Sequence, residues 1–447
     1  MTVAKEPQIA APGATAYDDL AVVQQELDKC MKCGNCMAVC PVYATAKNEA
    51  GVARGKVAVA EAVLSGDLEL DDRTVVELIF NCLVCKSCMQ NCPTKVNFDR
   101  IILGLRAAVV RKNGLPWLKT MIFSLLKNPR VFDVGLRTGA VFKRLAFRTH
   151  PEQKAISPRS PFTLIGKSAG FDGNRLLPAP TTHPLRDRVP EMNRAPNART
   201  KAAFFTGCSL NYFYPEAGLD VVEVLKENHV DVVIPRQQCC GIPVLVHGDT
   251  DTVRTLARNN IDAFENSGAE YLITSCGSCG GAWRHEYKEV LGSDPVYGPK
   301  AEYWSSRTYD ISTFLTSVVG YRRPEGRVEA VVTYHDSCHL KKTMKVFQEP
   351  REILKSIPGL EFREMPQADA CCGSGGSYVL THFDTSTDIA RRKVENVGKT
   401  GSRTVATGCP ACMMQLLDNL NRYGDGQAVT HYISLLAQSY RNEQNSR

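Results

Sequence analysis

The chain has 447 residues, 43% of them hydrophobic and 23% charged, which suits a soluble protein of about two to four domains. Its 18 cysteines could indicate a secreted disulfide scaffold, but residues 1–15 have no apolar core, which argues against a signal peptide. We expect a disordered lead there, and a cytoplasmic protein whose cysteines bind metal. No run approaches the roughly 18 uninterrupted apolar residues of a membrane helix, so any membrane contact is expected to be peripheral, at the inner face, or through a partner.

Two cysteine runs dominate the N-terminal part. Each has the spacing Cys-x2-Cys-x2-Cys-x3-Cys-Pro, which holds [4Fe–4S] clusters in bacterial two-cluster ferredoxins, where the fourth Cys of a run binds the other cluster. The ligands predicted for one cubane cluster are Cys30, Cys33, Cys36 and Cys92. Those predicted for the other are Cys82, Cys85, Cys88 and Cys40. Disulfides and zinc are the alternatives, but zinc normally takes two cysteine pairs and gives no reason for the same run to occur twice.

The apolar pattern around these runs predicts helices over residues 18–28, 55–64 and 73–79. Farther on, residues 117–147 mix apolar side chains with Lys and Arg, and Pro129 is expected to divide them into two helices. We expect these helices to pack on the cluster domain. Docking to a membrane surface or a partner subunit is the alternative.

The net charge of +7 is concentrated between residues 141 and 200, where eleven Lys and Arg stand against four acidic residues. Eight of the 24 prolines lie in residues 151–200, so we expect a mostly irregular linker that wraps the protein. The charge also suits an acidic partner or an anionic membrane surface. No nucleic-acid-binding module accompanies it, so nucleic acid is not an expected partner.

The second half of the chain contains a duplication. The first copy has five cysteines: Cys208, Cys239, Cys240, Cys276 and Cys279. The second copy repeats them in the same order as Cys338, Cys371, Cys372, Cys409 and Cys412. The spacing between equivalent cysteines is nearly constant from the first pair to the last, and a glycine follows each adjacent pair. Agreement at five positions indicates an internal repeat.

Each copy alternates strand and helix patterns. Short apolar runs that lead into cysteines lie at residues 203–205, 271–273, 331–332 and 404–406. Helical patterns lie at residues 217–228, 252–266, 350–356 and 386–397. Such alternation predicts an α/β unit with a parallel sheet, whose ligands lie beyond the carboxyl ends of the strands. We therefore expect the five cysteines of each copy to gather at one rim.

The Cys-Cys-Gly segments favour metal binding in both copies. Consecutive thiolates must point to different irons, and the glycine that follows permits positive φ. A disulfide between neighbouring cysteines is strained, and a simple redox thiol does not require five cysteines in a fixed order. All ten cysteines of the duplication are therefore predicted metal ligands.

The order of a two-cluster segment followed by two cysteine-rich CCG domains resembles iron–sulfur subunits of flavin-linked dehydrogenases. These are the membrane-associated glycolate oxidase, the lactate-utilisation enzymes and anaerobic glycerol-3-phosphate dehydrogenase. Residues 204–208, Asn211, Tyr212, Pro215 and residues 239–243 are similar to the glycerol-phosphate subunit, whereas residues 335–339 and 371–376 are similar to the lactate and glycolate proteins. The resemblance covers about residues 20–110 and 200–440. It implies an oxidoreductase subunit that relays electrons from a flavoprotein oxidising a 2-hydroxy acid or glycerol 3-phosphate to a quinone or carrier.

The layout also resembles the catalytic iron–sulfur subunit of heterodisulfide reductases, whose CCG domains hold non-cubane [4Fe–4S] clusters that reduce a disulfide. Because both copies keep all five cysteines, this alternative stays open, and one or two further iron–sulfur clusters are implied. His335 and His339 flank Cys338 and are candidate proton donors or hydrogen-bond partners of a cluster, although ordinary packing is the alternative, and more so for His247. No catalytic residue is assigned. A purely regulatory cluster protein is a third, less favoured interpretation.

The sequence has no Gly-x-Gly-x-x-Gly fingerprint, so FAD is expected on a partner flavoprotein dehydrogenase subunit. A membrane quinone-reducing subunit or a small electron carrier is a further expected partner. The predicted fold is α+β and multidomain, with a helical two-cluster ferredoxin-type domain followed by two duplicated α/β CCG domains. The predicted segments are a disordered lead (1–20), the ferredoxin-type domain (21–110), apolar-basic helices with a Pro-rich linker (111–200), and the two CCG domains (201–325 and 326–447).

Overall fold

The computed structural model describes residues 15–160, 163 and 173–446. The helices up to residue 146 are α1 (Leu20–Asp28), α2 (Pro41–Ala46), α3 (Ala53–Ser65), α4 (Arg73–Phe80), α5 (Ser87–Gln90), α6 (Phe98–Asn113), α7 (Trp117–Lys127) and α8 (Pro129–Ala146). Short 3₁₀ turns lie at Met37–Val39, Glu49–Gly51 and Pro151–Gln153.

The helices of the first CCG copy and the segment before it are α9 (Leu185–Arg188), α10 (Gly207–Tyr212), α11 (Pro215–Glu227), α12 (Ile242–Leu245), α13 (Thr250–Glu265), α14 (Gly277–Gly281), α15 (Tyr287–Leu291), α16 (Tyr297–Arg307) and α17 (Ile311–Thr313). Two π-helical segments lie at Ala282–Glu286 and Phe314–Val319. The helices of the second copy are α18 (Cys338–Lys342), α19 (Glu349–Ser356), α20 (Tyr378–Thr381), α21 (Phe383–Gly398), α22 (Pro410–Tyr423) and α23 (Tyr432–Ser446).

The strands form three sheets. They are β1 (Phe147–His150), β2 (Ala155–Pro158), β3 (Leu177–Pro178), β4 (Met192–Asn193), β5 (Thr200–Phe205), β6 (Val230–Val233), β7 (Tyr271–Thr274), β8 (Thr308–Asp310), β9 (Ala330–His335), β10 (Leu360–Phe362), β11 (Thr404–Thr407) and β12 (Ala428–His431). The two larger sheets have the orders β4-β6-β5-β7-β8 and β10-β9-β11-β12. All their pairings are parallel except that of β4 with β6, so the predicted parallel sheets are confirmed.

The predicted helices of the N-terminal part are confirmed to within two residues at each end. The break at Pro129 is confirmed as well: α7 ends at Lys127, and the Asn128 side chain caps α8 by accepting a hydrogen bond from the Val131 amide at 3.3 Å. Proline is well suited to the first helical position because its missing N–H would have no partner there. The sequence around Pro129 therefore forms a helical hairpin.

The disordered lead predicted for residues 1–20 is wrong at its C-terminal end. Thr15 and Tyr17 are buried, and the Tyr17 hydroxyl donates a hydrogen bond to Glu286 in the first CCG copy. This anchor makes the last residues of the lead part of the core, because a buried tyrosine needs a partner for its hydroxyl. Residues 1–14 lie outside the described part of the chain.

The linker predicted to be mostly irregular has more regular structure than expected. Strands β1 to β3 form a small antiparallel sheet, and β4 pairs with β6 at the edge of the first CCG sheet. Two arginines of the linker contact the first CCG copy: Arg186 donates a hydrogen bond to the Gln237 carbonyl at 3.1 Å, and Arg194 lies 3.0 Å from Asp231. The linker therefore wraps the first copy. Part of the basic stretch, including Lys167, lies outside the described residues.

The register of each large sheet brings its cysteine loops together. In the first copy Phe205 lies opposite Thr274, so the loops carrying Cys208 and Cys276 begin at the same edge. In the second copy His335 lies opposite Thr407, with the same result for Cys338 and Cys409. Because parallel strands share one carboxyl edge, the predicted gathering of the cysteine loops at one rim is confirmed.

Apolar helices of the two copies pack against each other. Helices α11 and α23 are in contact, and Val221 and Leu436 belong to one buried cluster between the copies. A second buried cluster joins the N-terminal helices to the first copy through residues such as Ile101 and Leu256. Among the described helices, none is long and apolar enough to cross a membrane.

A glycine at the junction of α6 and the first CCG copy gives a test of this packing. Gly248 has φ +85°, and a Cβ there would lie 2.4 Å from the Arg106 carbonyl oxygen. We expect Gly248→Ala to lower the free energy of unfolding by about 2–4 kcal/mol, because left-handed strain adds to a backbone clash. Thermal or denaturant unfolding of the cluster-loaded protein measures this.

The matched control is Gly66→Ala, since Gly66 has φ +84° but no atom within 4 Å of the Cβ position. Gly66→Ala should lower the free energy of unfolding by only about 1–2 kcal/mol, because it introduces backbone strain without a clash. Equal losses in the two variants would contradict the proposed clash.

Candidate metal centres

The first predicted cubane site is built from both cysteine runs. Cys30, Cys33, Cys36 and Cys92 line one cavity, together with Cys88 from the second run. Cys92 follows α5, which returns the chain to the loop of the first run. The four sulfurs predicted to share a cluster thus surround one space. Their assignment as ligands stays a prediction.

The second predicted site has the reciprocal arrangement. Cys82, Cys85 and Cys88 line a cavity with Cys40 from the first run. Burial raises the pKa of Cys40 to about 11, with neighbouring thiols as a smaller cause. A thiol in this environment releases its proton when a metal compensates the thiolate charge, as iron ligation does. Cys88 lines both cavities, so the two sites are adjacent.

The two cysteine loops share one backbone geometry. Lys32 and Gly34 have positive φ in the first loop, and Val84 and Lys86 have positive φ at the equivalent positions of the second. Left-handed residues turn successive backbone N–H groups toward one point, which forms a nest for negative charge. The Val84 amide already donates to the Cys82 sulfur at 3.4 Å. These loops suit thiolate and sulfide, which are acceptors.

Two buried cations lie behind the second site. Arg106 of α6 donates hydrogen bonds to the carbonyls of Cys82 at 2.7 Å, Phe80 at 3.2 Å and Val246 at 2.7 Å. Lys56 of α3 donates to the Gly51 carbonyl and interacts electrostatically with Cys82 and Cys40. Both cations bind neutral carbonyl oxygens here, so their charges are available to offset thiolates.

The first CCG site gathers all five of its predicted ligands, because Cys208 hydrogen-bonds with Cys239 and Cys276 hydrogen-bonds with Cys279. Cys240 hydrogen-bonds with Cys239 and Cys279, and these bonds lower its pKa to about 5. Gly241 has φ +86°, as the Cys-Cys-Gly pattern predicted, and its amide donates to the Cys239 sulfur at 3.5 Å. Gly207 packs against the last cysteine, since a Cβ there would lie 2.8 Å from the Cys279 sulfur. This close approach excludes any larger residue at position 207.

The second CCG site repeats this geometry. Gly373 has φ +88°, and its amide donates to the Cys371 sulfur at 3.4 Å. His335 adds a feature that the first copy lacks. The ring of His335 is 1% exposed, has no oxygen or nitrogen partner among the described residues, and lies within 4.8 Å of the Cys372 and Cys412 sulfurs. Buried polar groups without partners are rare, so this ring fits a site whose sulfur-rich group supplies the acceptor.

Direct contacts connect the sites. Cys85 of the second cubane site hydrogen-bonds with Cys371 of the second CCG site, which lowers the pKa of Cys85. The Cys276 sulfur of the first CCG site lies 4.0 Å from the Cys409 sulfur of the second. The four groups of cysteines therefore form a continuous series. A cleft of about 500 Å³ borders the junction of Cys40 and Cys371.

The other histidines named from the sequence have separate positions. The Nδ1 atom of His339 lies 3.6 Å from the sulfur of the preceding residue, Cys338. Burial lowers the pKa of His339 to about 4. His247 is part of the packing between segments: its Nε2 pairs with the Ser377 hydroxyl, and Lys119 lies 3.2 Å from its Nδ1. His335 and His339 thus border the second CCG site, whereas His247 contacts a serine and a lysine.

Sequence reasoning missed the buried cations around these sites. Besides Arg106 and Lys56, the ammonium groups of Lys342 and Lys393 interact electrostatically with cysteines of the second CCG site. A comparison of the two copies of the repeat would have revealed Lys342 and Lys393. When the two copies are aligned on their equivalent cysteines, Tyr212 and Asn260 of the first copy occupy the positions of Lys342 and Lys393.

Comparison with known proteins agrees with this geometry. A cysteine-rich CCG domain model matches residues 202–283 and 332–417, and a 4Fe–4S dicluster domain model matches residues 26–96. The probable glycolate oxidase iron-sulfur subunit of Bacillus subtilis is 30% identical over 410 residues, which cover 89% of this chain and 90% of that protein. The chain belongs to this family of iron–sulfur subunits.

Other relatives agree with that membership. One subunit of the fumarate reductase (CoM/CoB) of Methanothermobacter marburgensis is 28% identical over 94% of this chain and 73% of that protein. Lactate utilization protein A 2 of Bacillus cereus is 30% identical over 53% of this chain and 98% of its own length. A hypothetical protein from Helicobacter pylori superimposes with a TM-score of 0.49 at 10% identity, over 87% of this chain and 68% of that one.

Several predictions are confirmed by these matches. The protein binds iron–sulfur clusters and is an electron-transfer subunit of an oxidoreductase. Its fold is α+β and multidomain, with a helical ferredoxin-type region followed by two CCG domains. The heterodisulfide-reductase alternative is not favoured.

The crossed cavities predict which cluster each substitution perturbs. Because Cys92 lines the cavity of Cys30, Cys33 and Cys36, Cys92→Ser should alter the EPR signal of that cluster while the other cubane signal stays near wild type. Cys40→Ser is the matched variant and should have the reciprocal effect. EPR of the anaerobically purified, dithionite-reduced protein measures both. Loss of the cluster next in sequence to each substitution would contradict the crossed assignment.

Proposed function

We propose that this chain takes electrons from a flavoprotein subunit that oxidises a 2-hydroxy acid such as glycolate or lactate, or glycerol 3-phosphate, and passes them toward a quinone or a small carrier. The continuous series of four cysteine groups supports this proposal most directly, because electron transfer requires short gaps between centres. Relatives named for glycolate oxidase and lactate utilisation favour the 2-hydroxy acids. FAD belongs to the partner in this proposal.

The cubane ligands in this proposal are the two crossed sets of four cysteines, and each CCG set of five holds a further cluster. A bound iron–sulfur cluster supplies one-electron chemistry, with a potential set by charge, burial and hydrogen bonds to sulfur. The chain supplies those three conditions. It has backbone nests around the thiolates, buried cations behind them, and partial or full burial of every predicted ligand except Cys33.

A comparison of the whole complex with the lone subunit distinguishes relay from catalysis. If the CCG sites are relays, Cys240→Ser should slow electron transfer from the flavoprotein to the acceptor by at least about tenfold, while the isolated wild-type chain turns over no substrate. Anaerobic stopped-flow and iron and sulfide analysis measure this, and the variant must keep its two cubane clusters. Sustained disulfide reduction by the lone viologen-reduced chain, lost on Cys240→Ser or Cys372→Ser, would instead support a reductase.

The hairpin of α7 and α8 offers a candidate docking surface. It exposes a series of large apolar side chains, with Trp117 and Leu145 each 77% exposed. The other exposed apolar residues of this surface are Leu118, Met121, Ile122, Leu125, Val131, Val134, Val141 and Phe142. Such an area is unusual on a surface that faces only water.

The exposed charge on the hairpin itself is mostly positive. Lys127, Arg130, Arg144 and Arg148 are exposed, and the single acidic residue between positions 111 and 150 is Asp133. Asp133 pairs with Arg137 at 2.7 Å, and Asp187 of the linker pairs with the same arginine. An apolar face bordered by basic side chains fits the interface of an anionic membrane. We therefore include peripheral membrane binding through this hairpin in the proposed function, which would bring the chain close to a quinone pool.

Vesicle binding tests this part of the proposal. The full chain should sediment with vesicles that contain anionic phosphatidylglycerol and much less with neutral phosphatidylcholine, and binding should weaken as salt rises, because screening acts over about 8 Å at physiological salt. The double variant Trp117→Glu/Leu145→Glu should bind at least about tenfold more weakly. Val296→Glu is the matched control at a site 57% exposed elsewhere on the chain. Binding to an acidic partner protein but not to vesicles would contradict membrane binding and would support docking of the hairpin to that partner.

A further inference from the structure

The two CCG sites differ in the charge that surrounds them, although they have the same backbone. When Cys208 is aligned with Cys338, strands β5 and β9 begin and end at equivalent positions, and α10 and α18 end at equivalent positions. When Cys276 is aligned with Cys409, helices α13 and α21 coincide from their first residue to their last. Each position near a site in one copy therefore has a counterpart in the other, and the first copy serves as an internal reference for the second.

Three positions change from uncharged residues to basic ones. Phe205 at the end of β5 corresponds to His335 at the end of β9. Tyr212 at the end of α10 corresponds to Lys342 at the end of α18. In the long helices, Asn260 corresponds to Lys393. The remaining scaffold, including both positive-φ glycines and the amide bonds to sulfur, is retained.

The two lysines are buried close to the second set of sulfurs. Lys342 is 7% exposed, donates to the Ser87 hydroxyl, and interacts electrostatically with Cys85, Cys338 and Cys371. Lys393 is 1% exposed and interacts electrostatically with Cys372 and Cys371.

The hydrogen bonds of Lys393 go to neutral groups. It donates to the carbonyls of Gln367 at 2.8 Å and Ala368 at 3.1 Å, and to the Met365 sulfur at 3.7 Å. A buried ammonium group is costly unless a negative charge lies nearby. The thiolates of the second CCG site, in the cluster-loaded protein, supply that charge.

One carboxylate also acts on both lysines, but more weakly than the sulfurs. Asp369 interacts electrostatically with Lys342 and Lys393, in each case less than the cysteines do. It forms its own ion pair with Lys341 at 2.8 Å. The cysteine sulfurs are therefore the main negative charge that the two buried lysines share.

The third basic residue, His335, lies beside sulfurs of the same site. His335 lies within 4.8 Å of Cys372 and Cys412, and its ring nitrogens have no oxygen or nitrogen partner among the described residues. A ring N–H in this position donates to sulfur when a cluster is bound. Two charges and one hydrogen-bond donor thus distinguish the second CCG site from the first.

We propose that His335, Lys342 and Lys393 hold the cluster of the second CCG site at a more positive reduction potential than that of the first. This inference rests on the proposed function, because it requires both CCG sites to be loaded. Reduction adds one electron and no bond changes, so a nearby positive charge stabilises the reduced form, and a hydrogen bond donated to sulfur acts in the same direction. Because the Cys276 sulfur of the first CCG site lies 4.0 Å from the Cys409 sulfur of the second, this difference favours movement of electrons from the first CCG site to the second.

Redox titration followed by EPR tests the proposal on the full chain purified anaerobically. The signal of the second CCG site is identified by its loss in Cys372→Ser, and that of the first by its loss in Cys240→Ser. In Lys342→Met the second signal should shift to a more negative midpoint, with at least about a tenfold lower ratio of reduced to oxidised cluster at the wild-type midpoint, or about 59 mV for one electron. Lys342→Arg should restore the wild-type midpoint because it keeps the charge.

Two further variants keep the proposal testable if Lys342→Met does not fold. Lys393→Met should give a shift of the same sign, and His335→Phe, which installs the residue of the first copy, should give a smaller one. Tyr212→Phe is the matched control and should leave both midpoints unchanged. An unchanged second midpoint in both lysine variants with all clusters present would overturn this inference while leaving the relay intact. Iron content no higher than that of the two cubane clusters would overturn both the inference and the proposed loading of the CCG sites.

Discussion

The structure depends on one constraint: four groups of thiols lie against one another, and every one of these cysteines except Cys33 is partly or fully buried. Thiolates repel each other and are costly to bury, so their close approach requires compensating charge and hydrogen bonds. The chain meets this need with backbone amides at left-handed residues and with buried cations, of which Arg106, Lys56 and Lys393 bind carbonyl oxygens. Arg106 is the clearest case, because it binds the Cys82 carbonyl and also the Val246 carbonyl of the first CCG copy. One side chain thus positions a cluster loop and joins two parts of the protein.

A buried ionic network holds the ferredoxin-type region against the first CCG copy. Lys86, which follows Cys85, lies 2.6 Å from Asp99 and 3.0 Å from Glu286. Burial alone would raise the pKa of Glu286, but the charge of Lys86 lowers it to about 2, so the carboxylate stays ionised. Removal of one partner from such a network leaves an uncompensated buried charge, which is strongly destabilising. The loop of the second cysteine run is therefore held in position by the CCG copy that it contacts.

Duplication explains how one chain builds two similar sites and then distinguishes them. A parallel sheet delivers its cysteine loops to one edge, and the repeated glycines preserve the backbone around the adjacent cysteines. Substitution at positions next to the sulfurs changes the charge without disturbing this scaffold, because Tyr212 and Lys342 both lie at the last residue of equivalent helices. The charge around each site is thus set by individual side chains placed on a shared fold.

The sequence by itself determined the chemistry of this protein and most of its secondary structure. The spacing of the cysteine runs and the break at Pro129 are local patterns, which are read directly from the chain. The repeat is found by comparing one half of the sequence with the other, and this also needs no structure. The tertiary structure alone decided which groups meet across long sequence distances: Cys85 with Cys371, Cys276 with Cys409, and Tyr17 with Glu286. It also decided that Lys342 and Lys393 are buried, since a lysine in an amphipathic helix is normally expected on the water-facing side. Periodicity identifies the face of a helix that is polar, but only packing determines whether that face meets water or a group of thiolates.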